Sequence, residues 1–77
     1  MKISDFLKEL TEELELEQEL ELATDLKKLD EWDSMAAMVV IGYASSNFDV
    51  TLNGDDISKI STVDELIDRI GKDRFQY

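Results

Sequence analysis

The residue types in this chain restrict the chemistry that it can perform. The 77 residues include no histidine and no cysteine. The commonest general base and the commonest thiol nucleophile are therefore missing, and no Ser-His-Asp or Cys-His arrangement can form. Carboxylates are plentiful, with 19 Asp and Glu, but at that density neighbouring acids arise by chance and most face water. We expect no catalytic residues and no enzymatic activity.

One acidic segment carries the oxygen donors of a calcium loop. In the segment Asp49-Val50-Thr51-Leu52-Asn53-Gly54 such donors alternate, and glycine is sixth. The twelfth position, which is a bidentate glutamate in EF-hand loops, is Ile60. We interpret the segment as a turn and predict no metal site.

Ser34 is the remaining candidate for chemistry. It follows Asp33 and precedes a long apolar run that begins at Met35. Serine or aspartate at such a place is a routine helix N-cap, whose side chain accepts a backbone hydrogen bond and stabilises the helix by about 1 kcal/mol. Taken alone, Asp33 and Ser34 favour that structural role.

The N-terminal third of the chain predicts an amphipathic helix followed by a loop. Ser4 or Asp5 is placed to cap the helix start. From Leu14 to Leu22 the leucines alternate with glutamates, which fits an extended segment, a ragged helix or a loop; we interpret it mostly as loop. The apolar stripe of the helix is formed by Ile3, Phe6, Leu7, Leu10 and Leu14.

A second helix should open near Asp33-Ser34 and run to about Ser46. A helix that is apolar on nearly all sides, in so small a protein, is either central to the core or offers an apolar face to a partner. One stripe consists of Met35, Met38, Val39, Gly42 and Tyr43, and much of the remaining circumference is Ala37, Val40, Ile41 and Ala44.

Two more elements complete the predicted fold. A loop should lead into one short helical turn, Asp55 to Lys59, and a last helix should start at Thr62-Val63-Asp64-Glu65, which has the form of a capping box. Gly71 suits its C-terminal cap, and Lys72 and Arg74 then oppose the negative end of its dipole. We predict one all-α domain over residues 1–77, a bundle of three main helices and one short helix. The stripe of the last helix is Val63, Leu66, Ile67 and Ile70.

The surroundings of Ser34 resemble the acyl carrier protein family over nearly the whole chain. Asp33-Ser34-Met35 opens a helix after an acidic loop, and Phe48, Leu52, a short helical turn and Ile60-Ser61-Thr62-Val63 follow. In that family the motif is usually Asp-Ser-Leu, and the serine carries 4'-phosphopantetheine, transferred from coenzyme A by a magnesium-dependent phosphopantetheinyl transferase. The resemblance implies that Ser34 is the attachment residue, that Asp33 lies near the transferase's metal and basic contacts, and that Met35 replaces the leucine that docks into the partner.

The same resemblance implies a carrier that holds acyl intermediates as thioesters. It would deliver them to acyl-activating and acyl-transferring enzymes, and its acyl tail would slip between the helices. The expected lining of that acyl pocket is Met38, Ile41, Phe48, Leu52, Ile57 and Ile60, six residues that fit an ordinary core equally well.

The positions after Ser34 depart from the carriers of fatty acid biosynthesis. Those carriers usually bear acids at the second and fifth positions after the serine, which here are Ala36 and Val39. Ser45 and Ser46 are also uncharged where acids are common. We therefore expect a specialised carrier, rather than a housekeeping one, whose partner has a matching apolar patch. The expected partner surface is Trp32, Met35, Ala36 and Val39.

The net charge of −11 disfavours nucleic acids and anionic lipid surfaces and favours a basic protein partner. The longest apolar stretch, Met35 to Tyr43, is too short to span a bilayer, and the N-terminus lacks the apolar run of a signal peptide. We expect a cytoplasmic monomer.

Three functions remain open on the sequence alone. The first is an acyl carrier of a lipid, polyketide or polysaccharide pathway. The second is an aminoacyl carrier of the D-alanyl type. The third is an unmodified helical interaction domain, for which Ser34→Ala would leave partner binding and biological activity intact.

Overall fold

The computed structural model describes residues 1–30 and 32–76, and this part of the chain forms four α-helices. The helices are α1 (Ile3–Glu13), α2 (Ser34–Phe48), α3 (Gly54–Lys59) and α4 (Val63–Ile70). Short 3₁₀ turns at Leu26–Lys28 and Lys72–Arg74 precede α2 and follow α4. The prediction of an all-α fold with three main helices and one short helix is confirmed.

One hydrophobic core joins the helices. The stripe predicted for α4 is entirely buried, and Phe6 and Leu10 of α1 are fully buried. Full burial of a large apolar side chain stabilises a fold by about 1.5–3 kcal/mol. Leu7 of α1 and Leu14, the residue that follows its end, are partly buried and pack against the edge of this core.

The core face of α2 differs from the predicted stripe. Of the residues in that stripe only Tyr43 is buried, and Met35 and Met38 are exposed. The helix is nearly apolar all round, so periodicity gave no contrast between an inner and an outer face. Its buried residues are Ala36, Val40, Tyr43, Ala44 and Phe48.

An aromatic cluster fixes α1, α2 and the C-terminal segment relative to one another. The ring centroid of Phe6 lies 5.8 Å from that of Tyr43, 6.2 Å from that of Phe48 and 4.9 Å from that of Phe75. The rings are tilted or edge-to-face, an arrangement that adds about 0.5–1.5 kcal/mol per pair beyond area burial. Because Phe48 ends α2, the cluster lies at the opposite end of that helix from Ser34.

Tyr43 also connects α2 to α1 through its hydroxyl. The hydroxyl donates a hydrogen bond to Oε1 of Glu9 at 3.0 Å. Burial and this hydrogen bond raise the pKa of Tyr43 well above its usual value. The phenol therefore stays protonated and keeps donating at neutral pH.

The two chain ends pair with each other. The N–H of Ile3 donates to the carbonyl of Gln76 at 2.9 Å, and the N–H of Gln76 donates to the carbonyl of Met1 at 2.8 Å. The guanidinium of Arg74 donates to the carbonyl of Phe48 at 2.9 Å. Arg74 thus caps the end of α2, whereas the sequence predicted that it would oppose the dipole of α4.

The predicted cap of α1 is wrong. The helix begins at Ile3, so Ser4 and Asp5 lie inside its first turn, and the N-cap residue Lys2 makes no side-chain capping bond. The pairing of the chain ends explains this, because the carbonyl of Gln76 already accepts from the first helical N–H.

The capping box predicted at α4 is half formed, and a complete one occurs at α3. Thr62 Oγ1 accepts from the N–H of Glu65 at 3.2 Å, but the Glu65 carboxylate accepts from the N–H of Ser61, one residue before the cap. At α3 the side chains of Asn53 and Asp56 each accept from the other's backbone N–H.

The long connection between α1 and α2 is the predicted loop, and backbone hydrogen bonds attach it to the start of α4. The N–H of Leu26 donates to the carbonyl of Ser61 at 2.7 Å, and the N–H of Val63 donates to the carbonyl of Thr24 at 3.2 Å. Leu20 and Leu26 of this loop are buried in the core. The loop therefore approaches α2 from a fixed position.

Candidate attachment site at the start of α2

Asp33 is the residue that caps α2. Its Oδ1 accepts a hydrogen bond from the N–H of Ala36 at 2.9 Å, and its backbone carbonyl accepts from the N–H of Ala37 at 3.0 Å. The backbone of Asp33 is extended, as an N-cap residue requires. The capping role that the sequence left open between Asp33 and Ser34 thus belongs to Asp33.

Ser34 is the first residue of the helix, and its side chain is exposed. Within residues 1–30 and 32–76, nothing forms a hydrogen bond with its hydroxyl. The hydroxyl therefore has no part in holding the described fold together. It is accessible to an enzyme that modifies it.

The backbone around Ser34 suits an attached phosphate. The N–H groups of Ser34 and Met35 come before the first intrahelical hydrogen bonds, and within the described residues neither has an acceptor. A phosphate on the hydroxyl would lie near these donors, at the positive end of the helix dipole, which is worth about 0.3–1 kcal/mol. The carboxylate of Asp33 opposes this by repulsion of similar size. Exposure therefore distinguishes this serine more than electrostatics does.

A groove lies beside Ser34, between the end of α1 and the first turns of α2. Its apolar lining comes from Leu14 together with Met35, Ala36 and Val39, and its acidic lining is Glu13, Glu15 and Asp33. Glu13 and Glu15 are not among the residues that the sequence predicted for the site, because the family resemblance pointed to acids on α2. Their position at the predicted end of α1 is the feature of the sequence that could have indicated them.

The predicted partner surface is only partly exposed. Met35 is 73% exposed, and Trp32 and Val39 are partly buried with their outer surface accessible. Ala36 is buried and is accessible only where it lines the groove, so its part in the partner surface stays a prediction. Ala36 lies one helical turn before Val40 and shares its core-facing side.

The six residues predicted to line an acyl pocket divide into three groups by their burial. Met38 is 70% exposed and does not face the interior, because α2 turns Val40 and Tyr43 to the core instead. Ile41 is partly buried at the core margin. The other four residues are buried in the core, and their role as an acyl lining stays a prediction. They are Phe48, Leu52, Ile57 and Ile60.

The segment that resembled a calcium loop is the irregular connection between α2 and α3, and its Gly54 is the first residue of α3. Asp49 adopts the left-handed conformation at the end of α2, with φ of 55°, and Asn53 caps α3. In the described part of the chain, no group of three or more acidic side chains is arranged to hold a metal ion.

A helical domain that exposes a serine at the start of its second helix has the architecture of a carrier domain. A family model described as the phosphopantetheine attachment site matches residues 4–70. The chain belongs to this family, and the predicted resemblance to acyl carrier proteins is confirmed. Searches of curated proteins and of solved structures each found no match.

Family membership establishes the general class of function. Members carry covalently attached 4'-phosphopantetheine, and the domain is a carrier rather than a catalyst. A carrier of this kind interacts with transferases and acyl-handling enzymes. Among the described helices, none has the length and apolar character that crossing a membrane requires.

Proposed function

We propose that Ser34 is the attachment residue and that the protein presents acyl intermediates to enzymes of a specialised lipid, polyketide or polysaccharide pathway. The observation that carries the proposal is the division of roles between Asp33 and Ser34. Asp33 caps the helix, and among the described residues the exposed serine hydroxyl has no hydrogen-bond partner. When attached to the serine, 4'-phosphopantetheine supplies the thiol that holds the cargo as a thioester.

The residues around Ser34 have distinct roles in this proposal. Asp33 fixes the helix start and with it the direction of the serine side chain. Met35 and Val39, with Trp32 before them, offer apolar surface to the enzymes that must approach Ser34. The carboxylates of Glu13 and Glu15 at the groove favour enzymes with basic residues around an apolar contact.

The test is transfer of phosphopantetheine to purified protein. The protein is incubated with coenzyme A, magnesium and a broad-specificity phosphopantetheinyl transferase, and the intact mass is recorded. Wild type should gain one group and Ser34→Ala none. Ser46→Ala, which removes an exposed serine from the same helix, is the matched control and should gain one group. If several transferases left folded wild type unmodified, the interaction-domain hypothesis would move to first place.

The acidic lining of the groove supports an aminoacyl carrier as the second candidate. An aminoacyl cargo bears an ammonium group, and Glu13, Glu15 and Asp33 supply three carboxylates near the attachment residue. A panel of acyl-activating and aminoacyl-activating ligases, tested for loading of the modified protein, separates the two. Loading by an aminoacyl ligase alone would replace the acyl proposal.

A further inference from the structure

Two methionines stand out on the surface near Ser34. Met35 and Met38 are 73% and 70% exposed, and they are the large apolar side chains that the described chain leaves exposed to this degree. Because they are three residues apart on α2, their side chains lie on one face of the helix. Exposed apolar side chains next to a functional residue are typical of a surface that a partner covers.

Methionine differs from other apolar residues in its reaction with peroxides. The thioether sulfur attacks one peroxide oxygen, the O–O bond breaks, and an S–O bond forms. Sulfur loses two electrons, and hydrogen peroxide is reduced to water. The product, methionine sulfoxide, is polar and is returned to methionine by sulfoxide reductases. The chain has no cysteine to compete for the oxidant.

Met1 provides an internal comparison for this reaction. Met1 is partly buried and packs against the core, and its sulfur lies 3.4 Å from the hydroxyl oxygen of Tyr43. Oxidation uses a sulfur lone pair and requires access. Met1 should therefore react more slowly than Met35 and Met38.

We propose that Met35 and Met38 form an oxidation-sensitive pair, and that their conversion to sulfoxides weakens docking of the enzymes that act at Ser34. The oxidation of the two side chains depends only on their exposure to solvent. The effect on docking rests on the proposed function, because it requires that enzymes approach Ser34 across this face. A polar oxygen on each sulfur would remove apolar contact that docking would otherwise bury.

The first measurement is the order of oxidation. Apo protein is treated with graded hydrogen peroxide, the oxidant is removed with catalase, and sulfoxide at each methionine is quantified by peptide mass mapping. Met35 and Met38 should be oxidised before Met1, with the circular dichroism spectrum unchanged. Oxidation of Met1 at an equal or higher rate would overturn the proposal.

The second measurement is transfer of phosphopantetheine to the oxidised protein. We expect KM for the carrier to rise roughly tenfold, with kcat little changed, and sulfoxide reductases to restore it. The double variant Met35→Leu/Met38→Leu is the control: compared with its own untreated sample, it should show no rise in KM after peroxide.

The outcomes separate this inference from the function on which it rests. An unchanged KM with both sulfoxides present, or an equal rise in the double variant, overturns the inference and leaves the carrier function intact. Untreated wild type that accepts no phosphopantetheine overturns both.

Discussion

At the scale of single residues, the site depends on which of two adjacent polar side chains caps α2. Asp33 accepts the hydrogen bond from the N–H of Ala36, and Ser34 follows as the first helical residue. The side chain of a cap residue is engaged in a hydrogen bond that stabilises the helix. The side chain of a residue that is to be modified must not be needed for such a bond. The adjacent positions therefore combine a rigid helix start with an accessible hydroxyl.

This division predicts that alanine substitution destabilises the protein at Asp33 but not at Ser34. Asp33→Ala should lower the free energy of unfolding by about 1 kcal/mol because it leaves the N–H of Ala36 without its acceptor. Ser34→Ala should change the free energy of unfolding by less than about 0.5 kcal/mol. Urea denaturation followed by circular dichroism measures both. Asp33→Asn, which keeps a capping oxygen, should stay close to wild type, and a cost for Ser34→Ala equal to that for Asp33→Ala would contradict the assignment.

The sequence predicted that Asp33 and Ser34 lie at the helix start, but not which of the two is the cap. Asp33 and Ser34 are both good N-cap residues, and a shift of the helix start by one residue exchanges their roles. Ala36 shows the same limit, since its place two positions after the serine suggested the surface, whereas the rotation of α2 buries it.

At the scale of elements, the end of α1 determines where the acidic side of the groove lies. The N–H of Leu16 donates to the carbonyl of Thr11 and the N–H of Glu15 to that of Glu12, which together form a Schellman motif. Glu15 occupies the left-handed position of this motif, with φ of 55°. Glycine is the usual residue there, because left-handed backbone costs other residues about 1–2 kcal/mol.

Glu15→Gly should therefore stabilise the protein by about 0.5–1 kcal/mol, once the greater freedom of glycine in the unfolded chain is subtracted. Glu12→Gly is the matched control, since it removes the same charge from the last turn of α1, where the backbone is right-handed, and it should destabilise the protein by about 0.5–1 kcal/mol. The free energy of unfolding in urea measures both. Equal losses from the two variants would show that the left-handed backbone of Glu15 carries no strain.

The buried face of a helix could be predicted from the sequence where its apolar and polar residues lie on opposite sides. α1 and α4 alternate acids with apolar residues, so spacing alone identified their core faces. In α2 the exposed Met35 and Met38 and the buried Val40 are all apolar. Tertiary packing, such as that of the α2 aromatic rings on Phe6, decides which face is inside. Tertiary contacts, absent from local periodicity, also explain the unpredicted burial of Phe75.

At the scale of the whole molecule, the chain ends close the fold outside the span that the family model matches. The match covers residues 4–70, but the pairing of Ile3 with Gln76 and the burial of Phe75 involve residues beyond it. Phe75 lies 4.9 Å from the rings of both Phe6 and Phe48. In a domain of this size, which buries only about 60% of its unfolded surface, a further core aromatic is a large fraction of the stability.

Phe75→Ala should therefore lower the free energy of unfolding by about 3–4 kcal/mol, because it leaves a cavity between α1 and the end of α2. Gln76→Ala is the control: its side chain is exposed, its backbone bonds to Met1 and Ile3 remain, and it should lie within about 0.5 kcal/mol of wild type. Urea denaturation measures both. A loss below about 1 kcal/mol for Phe75→Ala would mean that the matched span holds itself together without the C-terminal segment. The larger loss would mean that the protein shortened to end at Ile70 lacks part of its core, even though that part of the core lies at the opposite end of α2 from Ser34.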